Sequence, residues 1–270
     1  MAEEQETFLS HLVELRDRLI RVLIAVGIAF VPLAFYAREL YSLLAAPLLA
    51  TLPAGGQMIA TDVVGVFLVP MKVALMSAFL VVLPYVLYQV WAFVAPGLYA
   101  HEKKLAVPLL VASVLLFFVG MTFAYFAFFP MVFGFMSKFA PEGVAWMTDI
   151  EKYFSFVLTM FMAFGITFEV PIIVIVLVKI GVVDVAKLRE WRPYVIVGAF
   201  VVGAVFTPPD VISQFMLAMP MWLLYELGIV LASVIVRPAP AGQSDYQPPS
   251  EQEMNQELDR AEQASRDQNT

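Results

Sequence analysis

Cysteine is absent from this chain of 270 residues, and histidine occurs only twice, at His11 and His101. Without cysteine the protein can form no disulfide, no thiolate metal site and no cysteine nucleophile. The sequence also contains no glycine-rich phosphate loop, no zinc-ligand spacing and no Gly-x-Ser-x-Gly elbow. These absences argue against an enzyme, and they lead us to expect no cofactor and no metal site.

Charged residues are also scarce. They make up 14% of the sequence, whereas hydrophobic residues make up 61% and the mean hydropathy is +0.83. This balance lies far outside that of a soluble domain. The composition therefore predicts an integral membrane protein.

Six apolar runs are separated by charged or Pro- and Gly-rich interruptions. A helix needs about 20 apolar residues to cross a bilayer, and most of these runs reach that length. We therefore predict an all-α integral membrane fold with six transmembrane helices. The predicted spans lie near residues 20–36, 68–92, 105–136, 154–178, 194–206 and 211–235.

The distribution of lysine and arginine predicts the orientation of these helices. With the N-terminus in the cytoplasm, the cytoplasmic segments hold twelve Lys and Arg residues and the outer loops hold three. Cytoplasmic loops of membrane proteins carry an excess of positive charge. The sequence therefore predicts a multi-pass membrane protein with both termini in the cytoplasm.

The fifth predicted span is unusually short. Its apolar stretch from Tyr194 to Phe206 has 13 residues, or roughly 20 Å of helix at 1.5 Å per residue, against a hydrocarbon thickness of about 30 Å. The sixth span carries Glu226, which shortens its purely apolar part. We therefore predict that helices five and six form a short hairpin that thins the membrane locally.

The last segment, 237–270, differs from the rest of the chain. It contains seven acidic residues against three arginines, many Pro, Gln and Ser, and almost no large apolar residues. Such a segment buries too little apolar surface to offset the entropy of ordering. The sequence predicts a membrane domain over residues 1–236 and a disordered acidic cytoplasmic tail over 237–270.

Glu169 is the most unusual polar residue in a predicted span, since it stands among apolar residues two positions before Pro171. A carboxylate at this depth costs several kcal/mol unless it is hydrated, protonated or paired. It could be a protonated side chain that hydrogen-bonds a neighbouring helix, a proton relay, or a polar docking point in a water-filled groove. Pro171 favours the groove, because a kink there opens the helix wall beside the carboxylate.

Two further carboxylates lie beside the predicted membrane surface on the cytoplasmic side. Glu14 belongs to the amphipathic segment "LSHLVELRDRLIR", where Glu14 and Arg18 form an i, i+4 pair, as do Asp17 and Arg21. Glu102 stands beside two lysines in "APGLYAHEKK". Salt bridging and charge balance would explain both carboxylates. Together they could also hold a pair of guanidinium groups through bidentate hydrogen bonds.

Several motifs in order along the chain resemble those of the TatC subunit of the twin-arginine protein translocase. The resemblance covers residues 8 to 236 and includes "HLVELRDRL", "PLLATLP", "MIATDV", "YQVWAFVAPGLYAHEKK", "TFEVP", "RPYVIVGAFVVGAVFTPPD" and "SQFMLAMPM". It implies a glove-like, concave bundle of six helices in the bacterial inner membrane. It also implies a receptor for twin-arginine signal peptides that assembles with the single-span subunits TatB and TatA, and exports folded proteins using the proton-motive force.

The resemblance also implies roles for particular residues. Glu14 and Glu102 would hold the two arginines, with Arg16 and Phe93 nearby. Glu169 would face the concave side of the bundle, and Thr207 and Gln214 would lie where TatB or TatA docks. Pro47 and Asp210 would serve on the outer side of the membrane.

Two other functions would explain part of the sequence. A proton-coupled solute transporter would use Glu169 as a relay, although the internal repeat that is typical of such transporters is not evident. A passive scaffold would need none of these carboxylates.

Overall fold

The computed structural model of the protein describes residues 2–50, 58–94, 103–139, 147–207 and 211–235. Nearly all of these residues are helical. In chain order the helices are α1 (Ala2–Phe35), α2 (Ala37–Leu49), α3 (Gly65–Val94), α4 (Lys103–Phe123), a π-helical segment (Ala124–Phe128), α5 (Phe129–Phe139), α6 (Ile150–Phe168), α7 (Val170–Lys179), α8 (Val185–Glu190), α9 (Arg192–Phe206) and α10 (Val211–Ile235).

Five stretches of helix in the described residues are long and apolar enough to cross a membrane. They are His11–Phe35, Gly65–Phe93, Val107–Ser137, Ile150–Lys179 and Val211–Ile235. The remaining predicted span corresponds to α9, which has 15 residues and so measures only about 22 Å. The predicted shortness of this helix is confirmed. The predicted shortness of helix six is wrong, because α10 has 25 residues and Glu226, which pairs with Arg192, does not interrupt it. Six spans and a cytoplasmic N-terminus stay predictions.

Helix α2, which has 13 residues, packs against the start of α6. The hydroxyl of Tyr153 in α6 donates to the carbonyl of Leu44 at 2.8 Å, and the ring of Tyr41 stacks on Phe154 with centroids 4.6 Å apart. Tyrosine suits this position because its ring fills apolar space while its hydroxyl reaches a backbone acceptor. The contacts fix α2 against the first turn of α6.

A short parallel sheet departs from the all-α prediction. Strand β1 (Met58–Ile59) pairs with β2 (Thr148–Asp149), the residues that precede α6. Two residues per strand give no usable alternation of apolar and polar side chains, so the pairing was not evident from the sequence.

The predicted kink at Pro171 is present as a break between α6 and α7. Glu169 is the residue between the two helices, and its N–H donates to the carbonyl of Ile166 at 3.0 Å. Gly228 of α10 packs on this break, because a Cβ atom there would lie 3.0 Å from the Cα of Pro171. A helix tolerates proline most easily in its first turn, so α7 restarts at Val170.

Two glycines allow α4 and α6 to approach closely. A Cβ atom on Gly120 would lie 2.6 Å from the carbonyl oxygen of Phe164, and one on Gly165 would clash with the ring of Phe117. Small residues at helix contacts let backbones pack closely in membranes. Phenylalanine rings fill much of the adjoining core, including the fully buried Phe128, Phe129, Phe154 and Phe164.

Candidate functional site

Glu14 lies where the N-terminal half of α1 meets the C-terminal end of α3. Its Oε1 atom accepts hydrogen bonds from Nη2 and Nε of Arg18, at 2.6 and 3.0 Å. The same guanidinium donates from Nη1 to Oε1 of Gln89 at 2.9 Å and from Nη2 to the carbonyl of Ala92 at 3.2 Å. The predicted pair of Glu14 and Arg18 is therefore present, and it is fixed to a second helix.

Phe93 belongs to the same cluster. Its ring stacks on the imidazole of His11 with the centroids 4.2 Å apart and the planes 18° from parallel. Nδ1 of His11 lies 3.8 Å from Oε2 of Glu14. Glu14 and Phe93, which are 79 positions apart in the sequence (93 − 14), therefore lie beside one another through His11.

Arg16 lies on the same helix but outside this cluster of contacts. Its Nη2 pairs with Oδ1 of the adjacent Asp17 at 2.8 Å, and both side chains are exposed. The sequence pattern predicted that Asp17 would pair with Arg21. The structure instead pairs Asp17 with its neighbour.

Glu102 lies outside the described residues. In the sequence it directly precedes Lys103, the first residue of α4, and it follows the end of α3 at Val94 by eight positions (102 − 94). Its proximity to Glu14 stays a prediction.

The carboxyl group of Glu169 is buried, with 9% of the residue exposed. Ser113 of α4 lies beside it, and the indole Nε1 of Trp91 in α3 donates to Oγ of Ser113 at 3.0 Å. Oε1 of Glu169 has no hydrogen-bond partner among the described residues. Polar side chains of α3 and α4 therefore lie near the helix break that carries Glu169.

Thr207 and Gln214 lie close together at the junction of α9 and α10. The hydroxyl of Thr207 donates to the carbonyl of Gly203 at 2.8 Å. Nε2 of Gln214 donates to the carbonyl of Phe200 at 2.8 Å, and the Gln214 side chain packs on Gly203. Both predicted residues therefore contact the same turn of α9.

Two apolar cavities flank this hairpin. One of 290 Å³ separates α10 from the π-helical segment, and one of 210 Å³ lies between α9 and α10. Phe215 and Met219 line both of them. The lining of both cavities is apolar, and methionine side chains adapt to irregular apolar surfaces.

Of the two residues predicted to act on the outer side, the structure describes the position of one. Pro47 lies in α2, which continues to Leu49. Asp210 lies outside the described residues, in the gap between α9 and α10.

Some residues of both clusters were missed by reasoning from the sequence. Gln89 and Trp91 look like ordinary residues of an apolar span, and Ser113 is a single hydroxyl in another span. Their positions on helices α3 and α4 relative to Glu14 and Glu169 depend on how the helices pack. No group of three or more His, Asp or Glu side chains that could bind a metal ion occurs in the residues that the structure describes.

Comparison with known proteins gives one consistent family. The family model described as "Sec-independent protein translocase protein (TatC)" matches residues 10–220. The chain is 54% identical to the Sec-independent protein translocase protein TatC of Azotobacter chroococcum mcd 1 over 234 residues, which are 87% of this chain and 92% of that protein. It is 50% identical to the TatC protein of Escherichia coli strain K12, with 87% and 91% covered.

A solved structure gives the same result. The chain resembles the protein in "Crystal Structure of Twin Arginine Translocase Receptor- TatC" with a TM-score of 0.75 and 38% identity, covering 84% of this chain and all of that one. Both the sequence and the arrangement of helices agree, so this chain belongs to the TatC family of Sec-independent protein translocase proteins.

Proposed function

We propose that this chain is the receptor subunit that binds the two arginines of a twin-arginine signal peptide at the cytoplasmic face of the bacterial inner membrane. It has six spans in a concave bundle and both termini in the cytoplasm. It assembles with TatB and TatA, and the complex exports folded proteins using the proton-motive force. Its role is binding and assembly, and it catalyses no chemical reaction.

The position of Glu14 carries this proposal. The Glu14 side chain is 40% exposed, it lies near the start of the stretch His11–Phe35 that is long enough to span, and the ring of Phe93 is close by through His11. A carboxylate beside water keeps its charge, and a planar guanidinium matches its geometry. Hydrogen bonds to charged groups contribute about 1.5 to 3 kcal/mol each, which suffices to select an arginine.

Glu102 supplies the second carboxylate in this proposal. It comes directly before α4, the helix that follows α3 in the chain, and the end of α3 forms part of the Glu14 cluster. Arg16 and Phe93 contribute to the surroundings of the arginine pair. The apolar part of the signal peptide adds affinity by inserting beside the bundle.

Glu169 serves as a polar contact for an inserted helix. Its unsatisfied Oε1 atom lies at a helix break in the membrane and can exchange a hydrogen bond with a polar group of the incoming segment. Thr207 and Gln214 mark the second docking face, where TatB or TatA packs against α9 and α10. Pro47 and Asp210 act on the outer side.

Photocrosslinking tests the proposal. A signal peptide with a photoreactive group next to its two arginines is mixed with membranes that contain the full chain, TatA and TatB. We expect Glu14→Ala or Glu102→Ala to lower the crosslinking yield by at least about tenfold, the equivalent of 1.4 kcal/mol. A peptide with two lysines should crosslink weakly to the unaltered chain.

Glu39→Ala is the matched control. Glu39 is an exposed glutamate in the first turn of α2, far in sequence from the Glu14 cluster, and its removal should leave the yield unchanged. Equal yields for all three variants and the unaltered chain would contradict the proposed binding site.

A further inference from the structure

The Arg18 side chain has an unusual number of partners for an arginine near the end of a membrane helix. Four of its five N–H groups are used: two donate to Oε1 of Glu14, one to Oε1 of Gln89 and one to the carbonyl of Ala92. The guanidinium thus connects α1 to the last turns of α3. An ordinary i, i+4 pair on a helix surface would involve Glu14 alone.

The two bonds to Glu14 end on the same oxygen atom. Oε1 accepts the hydrogen bonds from both Nη2 and Nε of Arg18, whereas Oε2 lies 3.8 Å from Nδ1 of His11. A carboxylate has acceptor sites on both oxygens. Arg18 therefore occupies one side of the carboxylate and leaves the other side to a further donor.

We propose that Arg18 is a positioning residue, which holds the Glu14 carboxylate against α3 so that Oε2 receives a guanidinium of the signal peptide. This inference rests on the proposed function, because it assigns the arginine pair to Glu14. It adds that the incoming arginine joins Arg18 at the carboxylate and does not displace it.

Burial explains why Arg18 stays in place. The Arg18 side chain is 20% exposed, half the exposure of Glu14, and its partner Gln89 is 5% exposed. Displacing the guanidinium would leave the buried Gln89 oxygen without its donor, and a buried acceptor that loses its partner is costly. The Glu14 side chain is 40% exposed, and its Oε2 atom, which does not bond Arg18, is the easier place for a ligand to bind.

The same geometry requires arginine at this position. The planar guanidinium group donates to Glu14 in α1 and to Gln89 and Ala92 in α3 at the same time. Lysine carries a single ammonium group at the end of a flexible chain. Lysine at position 18 would keep the charge but could not hold both helices. We therefore expect Arg18→Lys to resemble Arg18→Ala more than the unaltered chain.

The test uses the purified full chain in lipid nanodiscs, into which fluorescent signal peptides with two arginines or two lysines are titrated while anisotropy is measured. We expect Arg18→Ala to weaken binding of the arginine peptide about tenfold and to weaken the lysine peptide less. A carboxylate must be held in a fixed orientation to prefer the planar guanidinium group of arginine over the ammonium group of lysine. The affinity ratio of the two peptides should therefore fall.

Arg21→Ala is the control with the same change of charge, since Arg21 lies exposed on the same helix; it should leave the ratio unchanged. Gln89→Ala is a second variant that keeps Arg18 and loosens its attachment to α3. It should lower the ratio in the same direction. A merely structural role for Arg18 would weaken both peptides equally and leave their ratio constant.

The Glu14→Ala background separates the two proposals. If Arg18 acts through Glu14, Arg18→Ala added to Glu14→Ala causes no further loss. A normal affinity for Glu14→Ala alone would overturn the proposed function. Two results would overturn the positioning role while Glu14→Ala still weakens binding. Arg18→Ala could leave the affinity ratio of the two peptides unchanged. It could also raise the affinity for the arginine peptide, which would mean that Arg18 competes with the peptide for Glu14.

Discussion

The carboxylate of Asp149 joins two segments of the chain that are 88 residues apart. It accepts hydrogen bonds from the hydroxyl and the N–H of Thr61, and also from the N–H groups of Glu151 and Lys152 in the first turn of α6. Asp149 is therefore both the N-cap of a membrane helix and the attachment point of the strand that precedes α3. An aspartate at an N-cap stabilises the orphan N–H groups of the helix.

This arrangement predicts a dependence of stability on pH. Hydrogen bonds lower the pKa of Asp149 from 3.8 to about 2. The largest contribution comes from the Thr61 hydroxyl and the next from the N–H of Lys152. Because the folded state favours the carboxylate, its contribution is complete above pH 3.8 and is lost as the pH falls towards 2. We expect Asp149→Asn to melt at a lower temperature than the unaltered chain at pH 7.

The difference between the two melting temperatures should shrink as the pH falls from 4 to 2, because only the unaltered chain loses a charge at this position. Thermal unfolding of the detergent-solubilised proteins, followed by tryptophan fluorescence, measures it. A difference that stays constant over this range would show that the charge of Asp149 is not what stabilises the connection.

Gly120→Ala should destabilise the protein. A Cβ atom there would lie 2.6 Å from the carbonyl oxygen of Phe164, so α4 and α6 would have to separate, and overpacking of this kind costs about 1 to 3 kcal/mol. Gly27→Ala is the control, since nothing lies within 4 Å of a Cβ atom at that position. Melting temperatures in detergent compare the two, and equal values would contradict the close approach of α4 and α6.

A salt bridge should couple the start of α9 to α10. Nη2 of Arg192 lies 2.6 Å from Oε2 of Glu226, and we expect a double-mutant cycle with alanine to give a coupling free energy of about 0.5 to 1 kcal/mol. Chemical unfolding in mixed micelles measures it. The exposed Glu190 is the control partner, and its removal should be additive with that of Arg192. Additive effects for Glu226 would mean that the salt bridge does not stabilise the hairpin.

Glu169→Gln should raise stability and lower partner docking at the same time. The Glu169 side chain is buried and its Oε1 atom has no hydrogen-bond partner among the described residues, and a neutral amide is easier to bury in a membrane than a carboxylate. We expect a higher melting temperature in detergent and less crosslinking to a single-span partner.

Thr167→Val provides the comparison for Glu169→Gln, because Thr167 is a buried polar residue two positions earlier. This change should leave crosslinking intact. Lower stability of Glu169→Gln would mean that the carboxyl group already has a hydrogen-bond partner when no other subunit is docked.

Much of the fold follows from the sequence because lipid imposes simple rules. The long apolar runs predicted the spanning helices, and the shortness of the run from Tyr194 to Phe206 predicted the 15 residues of α9. Pro171 predicted the interruption beside Glu169. Each of these features depends on local length, hydropathy or backbone chemistry. The family was also evident, since its motifs occur in order along the chain.

Some functional alternatives could not be decided from composition. Glu169 beside a proline is equally typical of a proton-coupled transporter, and a scaffold needs no special carboxylates. Membership of the TatC family gives the chain its place among protein translocase proteins.

The contacts within the candidate sites depended on the tertiary structure. The sequence predicted that Arg18 would pair with Glu14, but Arg18 also binds Gln89 because the end of α3 packs on the N-terminal half of α1. Trp91 reaches Ser113 for a similar reason, and Asp149 binds Thr61 beside a sheet of two residues per strand. Local patterns fix which segments are helices, whereas the rotation and depth of each helix, set by side-chain packing, decide which polar atoms meet.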